Sequence, residues 1–222
     1  MSQIASKLRE VIGRNLRKPE ATLIGRIIKK YGLEKKNRVI ELEAVRLCDV
    51  QPDYKVLEVG FGPGIGIEAT YNIIKGGNGK VYGVDFSEEM VESATKRVNE
   101  GISNGKVELH HADVANMSFL KSNSFDRVFH CNCYYFWPDL TLAVNELNRV
   151  MKPGAVMVTT MNYERLKKIQ SKGYFDKCGN IDMNRYLSAL QSGGFQEVKL
   201  KSFKHESSGI NIEAIIAQKL EN

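Results

Sequence analysis

The chain has 222 residues, a formal net charge of +6, 42% hydrophobic and 26% charged residues, which suits one α/β domain with a full core and leaves a second independent domain cramped. No apolar run approaches the roughly eighteen residues that a membrane span requires, so a spanning helix is excluded. Four cysteines, Cys48, Cys131, Cys133 and Cys178, are too few and too strand-embedded for a disulfide framework, which points to a reducing, cytoplasmic setting.

Ile4, Leu8, Val11, Ile12 and Leu16 recur at helical spacing among Lys7, Arg9, Arg14 and Arg17, predicting a helix over 4–16. This basic, Ser-containing start resembles a mitochondrial presequence in part, although Glu10 and the lack of a cleavage cue weigh against a mitochondrial address. Further helices are expected over 21–31 and 36–47, the latter with Val39, Ile40, Leu42, Val45 and Leu47 as its apolar positions. Residues 1–50 thus read as a helical extension to a core over 51–222, all within one domain. The basic excess lies in this extension and in 163–204; without interleaved aromatics or a Gly/Arg tract it reads as solvated helix faces, and nucleic acid is not the expected partner.

Val56, Leu57 and Val59 read as a buried parallel strand running into Gly60, Gly62 and Gly64, which remove side chains where a ligand touches backbone. A helix over 65–74 follows at once. Its free N–H groups and partial positive charge suit an anionic or strongly polar ligand such as a carboxylate or phosphate. A dinucleotide fingerprint would need its third glycine at 65 or 67, and both are isoleucine; the frame Gly64-x-Gly66-x-x-Ala69 begins well past the strand end. What stands instead is an acid, Glu58, two residues before Gly60-x-Gly62-x-Gly64.

A second strand over 81–85 ends in Asp85, about twenty residues past the loop, where an α/β nucleotide site places a carboxylate on ribose hydroxyls. Ser87 is the expected N-cap of the next helix, with Glu88 and Glu89 in its first turn. A third strand, 107–113, again ends in an acid, Asp113. A fourth covers 125–131, a helix with Leu140, Val144, Leu147 and Val150 on one face covers 139–150, and a Met151-Lys152-Pro153-Gly154 turn precedes a fifth strand over 155–161. The stretch 161–180 looks irregular, with turns at Gly173 and Gly179. A helix over 181–191 and strands over 195–203 and 210–217 complete the chain.

The Glu58-x-Gly60-x-Gly62-x-Gly64 motif, the strand-end acids Asp85 and Asp113 and the Met-Lys-Pro-Gly turn together resemble the class I S-adenosylmethionine-dependent methyltransferases across 56–161. The resemblance implies an α/β, Rossmann-like, seven-stranded, mostly parallel sheet with helices on both faces and an antiparallel last strand, and S-adenosyl-L-methionine as cofactor. It implies cofactor contacts from Glu58, Gly60, Phe61, Gly62, Gly64, Asp85 at the ribose, Phe86 over the adenine face, Asp113 at the adenine amino group, Val114 and Asn132. It also implies that the N-terminal helices lie over the cofactor mouth as a lid, although plain packing would explain them equally. The run from Asn132 to Pro138, Asn-Cys-Tyr-Tyr-Phe-Trp-Pro, looks like a bacterial-type subgroup of small methyltransferases, which names no acceptor.

Methyl transfer from a sulfonium is an in-line displacement, so positioning supplies most of the effect, roughly 7 to 11 kcal/mol. No Ser/His/Asp triad or carboxylate pair stands out. If a proton must leave the acceptor, histidine is the side chain best matched to the task near neutral pH. The catalytic candidates are Asn132, Tyr135 and His130, with a hydrogen-bonded core role as the alternative for His130. Cys131-x-Cys133 beside His130 invites a metal or thiol-trap reading, but small core thiols are the expectation and no metal is assigned.

The function read from these features is methyl transfer to a small-molecule acceptor. A nucleic-acid or protein methyltransferase is the alternative, supported only by the basic surface. Against base amino-methylation, the residues after the fourth strand lack the two prolines of an Asp/Asn-Pro-Pro-aromatic run, and neither Cys131 nor Cys133 follows a proline as a cytosine-carbon nucleophile would. A non-catalytic cofactor-binding module and a dehydrogenase are the remaining readings.

Overall fold

The computed structural model describes residues 3–176 and 179–221. Strands β1 (Lys55–Val59), β2 (Lys80–Asp85), β3 (Val107–His111), β4 (Phe125–Cys131), β5 (Met151–Met161), β6 (Phe195–Lys204) and β7 (Asn211–Lys219) form one sheet in the order β3-β2-β1-β4-β5-β7-β6. The first five strands pair in parallel, while β7 runs antiparallel to both β5 and β6. Helices α1 (Gln3–Arg17), α2 (Leu23–Ile27), α3 (Lys36–Leu47), α4 (Ile65–Ile74), α5 (Glu88–Arg97), α6 (Asn99–Ser103), α7 (Leu140–Val150), α8 (Tyr163–Gln170) and α9 (Met183–Ser192) surround it.

Successive strand residues point to opposite faces, and each face buries its own core. Val56, Val81 and Phe129 pack with Ala44, Ile67, Ile74 and Ala94 from α3, α4 and α5. Leu57, Val84 and Val128 pack with Val144, Leu147, Tyr186 and Leu190 from α7 and α9. Helices therefore cover both faces, as the near-continuous apolar strands require. No described helix is long and apolar enough to cross a membrane.

Several elements differ from the sequence expectation. Instead of ending near Tyr31, α2 passes through a wide π turn (Ile28–Lys35) directly into α3. No proline interrupts 21–47, so every N–H can stay in the helical ladder. The Met-Lys-Pro-Gly segment is the start of β5 itself: Met151 pairs with Phe125, the register then shifts before Arg127, and Gly154 takes φ +74° at the irregularity. β3 ends at His111, two residues short of Asp113.

The stretch read as irregular contains α8, whose few apolar residues among many cations hide its period; Asn162 caps it by accepting from the Arg165 N–H. In α1, Leu8 is half-exposed, so among the described side chains the expected stripe packs through Val11, Ile12 and Leu16. The Ile4 side chain and Cys178 lie outside the described residues.

Candidate active site

The sheet reverses its strand order between β1 and β4, so a crevice opens beyond the carboxyl ends of these two strands. Gly60 follows β1 at φ +66° and donates its N–H to the Val84 carbonyl at 2.7 Å. A Cβ there would sit 3.0 Å from both Cβ and Sγ of Cys133, so the close approach across the crevice requires glycine. At Gly62, φ is +51° and nothing lies within 4 Å of the Cβ position, so this residue faces open space. Gly64 instead turns toward Ala94 on α5, 2.8 Å from its Cβ position.

Asp85 closes β2 and is buried, its Oδ2 accepting from the Gly62 N–H at 2.9 Å and its Oδ1 from the Ser87 N–H at 2.8 Å. Burial pushes its carboxyl up to about 6, opposed by these two N–H groups and by His111 and Lys18. The Ser87 side chain, expected as an N-cap, makes no capping bond, and its hydroxyl is buried without a hydrogen-bond partner. Phe86 projects its ring beneath the cations of Arg17 and Lys18, 5.5 and 5.6 Å from its centroid. Asp113 holds its turn by accepting from the Ala115 N–H at 2.9 Å.

A cavity occupies the crevice. Of the sequence-predicted cofactor contacts, Gly60, Gly62, Asp85, Phe86, Asp113, Val114 and Asn132 line it, whereas Glu58, Phe61 and Gly64 do not. Phe61 turns its ring into the core, 2.7 Å from the position a Gly83 Cβ would take.

Glu58 and a residue not singled out from the sequence, Glu41 on α3, meet at the start of α4. Glu41 accepts from the Gly66 N–H and Glu58 from the Ile67 N–H, and a Gly66 side chain would fall 2.6 Å from Glu58 Oε2. The free N–H groups expected to take a ligand carboxylate or phosphate are therefore occupied by the chain's own acids.

Burial pushes the Glu41 carboxyl up to about 8 against the pull of Arg97, the Gly66 N–H, Arg38 and Arg165. Glu58 is raised by burial first, then by Glu41 and Asp85. Glu41 Oε2, Glu58 Oε2 and Asn132 Oδ1 are buried without hydrogen-bond partners. Leaving such an acceptor unmet costs about 1–3 kcal/mol. Two of the three, Glu41 and Asn132, line the cavity, so it fits a ligand that brings a cationic donor. The available sequence signal for Glu41 was its spacing: Asn37, Glu41 and Val45 share one helical face otherwise expected to be apolar.

Asn132 stands at the junction. Its backbone adopts φ +50° just past β4, its N–H donates to Thr160 O at 3.0 Å, and it borders a second cavity. Leu16, Leu33, Asn37, Asn132 and Phe136 line both spaces. Tyr135 lines only the second, and burial raises its hydroxyl pKa. The N-terminal extension thus contributes directly, through Leu16, Arg17, Pro19, Leu33, Asn37 and Glu41.

His130 lines neither cavity. Fully buried, its Nε2 bonds Tyr186 Oη at 2.7 Å and Thr159 Oγ1 at 2.8 Å, and its Nδ1 lies 3.4 Å from Cys133 Sγ. Burial lowers its pKa to about 3, so it is neutral and already hydrogen-bonded, an arrangement that argues for the core role and against proton transfer from a substrate. Cys131 and Cys133 are free thiols with pKa values raised by burial, not reactive thiolates.

Residues 56–154 match the family model described as a methyltransferase domain. The chain is 34% identical over 116 residues to the demethylmenaquinone methyltransferase of Bacillus mycoides (strain KBAB4), covering 52% of this chain and 48% of that one; the match spans about half the relative's length. It is 27% identical over 191 residues to the uncharacterized methyltransferase YdaC of Bacillus subtilis (strain 168), covering 82% and 94%. Among solved structures, a geranyl diphosphate methyltransferase in complex with S-adenosylmethionine superposes with a TM-score of 0.68 at 14% identity, covering 90% and 92%, a likeness of fold.

Proposed function

The chain belongs to the class I S-adenosylmethionine-dependent methyltransferases, and we propose that it transfers a methyl group to a small organic acceptor held in the second cavity. The observation that carries this reading is the junction at Asn132, where the crevice lined by Gly60, Gly62, Asp85 and Asp113 meets a second cavity with an apolar floor. When bound, S-adenosylmethionine supplies an electrophilic methyl group on a sulfonium.

The chain's own residues then do the following. Asp85, oriented by the Gly62 and Ser87 N–H groups, presents its remaining lone pairs to the ribose hydroxyls. Phe86, Asp113 and Val114 receive the adenine. Glu41 and Asn132 offer their unmet oxygens to the methionyl ammonium. Leu16, Pro19 and Leu33 exclude water above the site, which strengthens every charge interaction inside it. The N-terminal helices serve as a lid in this reading.

The relatives named for demethylmenaquinone support a small organic acceptor, and the free thiols of Cys48, Cys131 and Cys133 support a reducing compartment such as the cytoplasm. Calorimetric titration with S-adenosylmethionine, followed by labelled methyl transfer into a metabolite extract, RNA and protein in parallel, tests the reading. Label in the small organic fraction is the expected result. Label in RNA or protein alone would overturn it.

A further inference from the structure

The second cavity is charged in the opposite sense to the first. Glu41, Asp85 and Asp113 line the cofactor side, whereas no aspartate or glutamate lines the second space among the described residues. Its floor is apolar, from Leu16, Leu33, Tyr135, Leu166 and Phe175. Its polar wall is cationic: Arg165 from α8, with Lys36, Lys168 and Lys172 at the rim. Lys168 is paired with Glu164 at 2.8 Å. Arg165 has no carboxylate partner among the described residues; one guanidinium nitrogen donates to the Lys36 carbonyl at 3.3 Å and the other to Asn37 Oδ1.

Among the described residues, no histidine or carboxylate that could accept a proton lines this space. None of the four histidines lines either cavity. The Tyr135 hydroxyl has a raised pKa, so it is no phenolate, and Glu41 faces only the cofactor side. Among the described residues, an acceptor that had to shed a proton during the reaction would find no base beside it.

Resting on the proposed methyltransferase reading, we infer that the acceptor is an apolar ring or chain bearing an acidic group already ionised when it binds, an enolate, phenolate or carboxylate steered by Arg165. An acid fits both halves of the observation. The guanidinium offers planar, charge-assisted hydrogen bonds to an oxyanion and favours its ionised form. The reaction then balances without a base. A lone pair of the anion forms the bond to the methyl carbon, the carbon–sulfur bond breaks with its electrons staying on sulfur, and an uncharged methylated product leaves with S-adenosylhomocysteine. Attraction between anion and sulfonium grows as water is excluded.

The test titrates the full chain, saturated with S-adenosylhomocysteine, with three naphthalene probes: 1-hydroxy-2-naphthoate, neutral naphthalenemethanol and cationic naphthylmethylamine. The anion should bind at least about ten-fold more tightly than the other two, the size of one good charge-assisted contact. Arg165→Gln should remove that preference and Arg165→Lys should keep most of it, both measured with S-adenosylhomocysteine held saturating. Should Arg165→Gln not fold, the exposed pair Lys36→Gln and Lys172→Gln together should still lower the preference several-fold. Equal binding of the neutral or cationic probe, or a preference that survives these substitutions, would overturn the inference alone. Failure of the unaltered chain to bind S-adenosylhomocysteine would overturn the methyltransferase reading and this inference with it.

Discussion

Glu41 and Glu58 accept hydrogen bonds from two successive backbone N–H groups of α4, those of Gly66 and Ile67, although one acid comes from the N-terminal extension and the other from the first strand of the core. The helix dipole favours both carboxylates at this end. Burial opposes ionisation of both, and the charges of Glu41 and Asp85 further oppose that of Glu58. A cation delivered to the Glu41 side would favour its charged form.

Glu41→Gln is therefore expected to stabilise the free protein while weakening cofactor binding. The Glu41 carboxyl, raised from 4.5 to about 8 in the folded chain, keeps a proton that the unfolded chain releases between those values. Its stabilising contribution is complete below pH 4.5 and is lost as pH rises toward 8. Thermal melts of the unliganded variant should lack that decline, gaining on the order of 1–3 kcal/mol at pH 8 relative to the parent. Parallel pH slopes in parent and variant would show that Glu41 is not the strained group. S-adenosylmethionine affinity should fall by about 1.5–3 kcal/mol as its ammonium loses a charged acceptor.

Asp85→Ala should weaken S-adenosylmethionine binding by about 1.5–3 kcal/mol or more, because the ribose loses a charged acceptor and the Gly62 N–H loses the group that orients the loop. Calorimetry decides it. Unchanged affinity would remove this acid from the ribose.

Gly62→Val should fold yet fail to bind cofactor. The φ of +51° is strained for a branched residue, but nothing within 4 Å obstructs the first side-chain atom, so the added bulk projects into space the ligand needs. Circular dichroism alongside titration separates folding from binding. A folded variant of normal affinity would reduce the loop to a plain turn.

Deleting residues 1–17 should leave a folded core that releases cofactor faster, since Leu16 and Arg17 leave the wall of the first cavity and the Arg17 cation leaves the Phe86 ring. Stopped-flow dissociation of S-adenosylhomocysteine measures this. A change in melting temperature with unaltered dissociation would show packing rather than closure.

Local chemistry in the sequence was sufficient for the order of the strands along the chain, the glycine turn and the acid that closes β2, because each is specified by neighbours a few residues away. Val56 and Leu57 alternate between two cores as their spacing requires, and Asp85 stands where a strand end and a glycine loop must meet. Tertiary structure decided what contacts between distant residues alone could settle. It drew Phe61 into the core and His130 into a hydrogen-bonded trio with Thr159 and Tyr186, away from the chemistry. It brought Glu41 from the extension onto the Gly66 N–H, and Arg165 from a helix without a clear apolar period onto Asn37. Which side chains share a cavity is set by strand order and helix docking, and no local pattern carries that information.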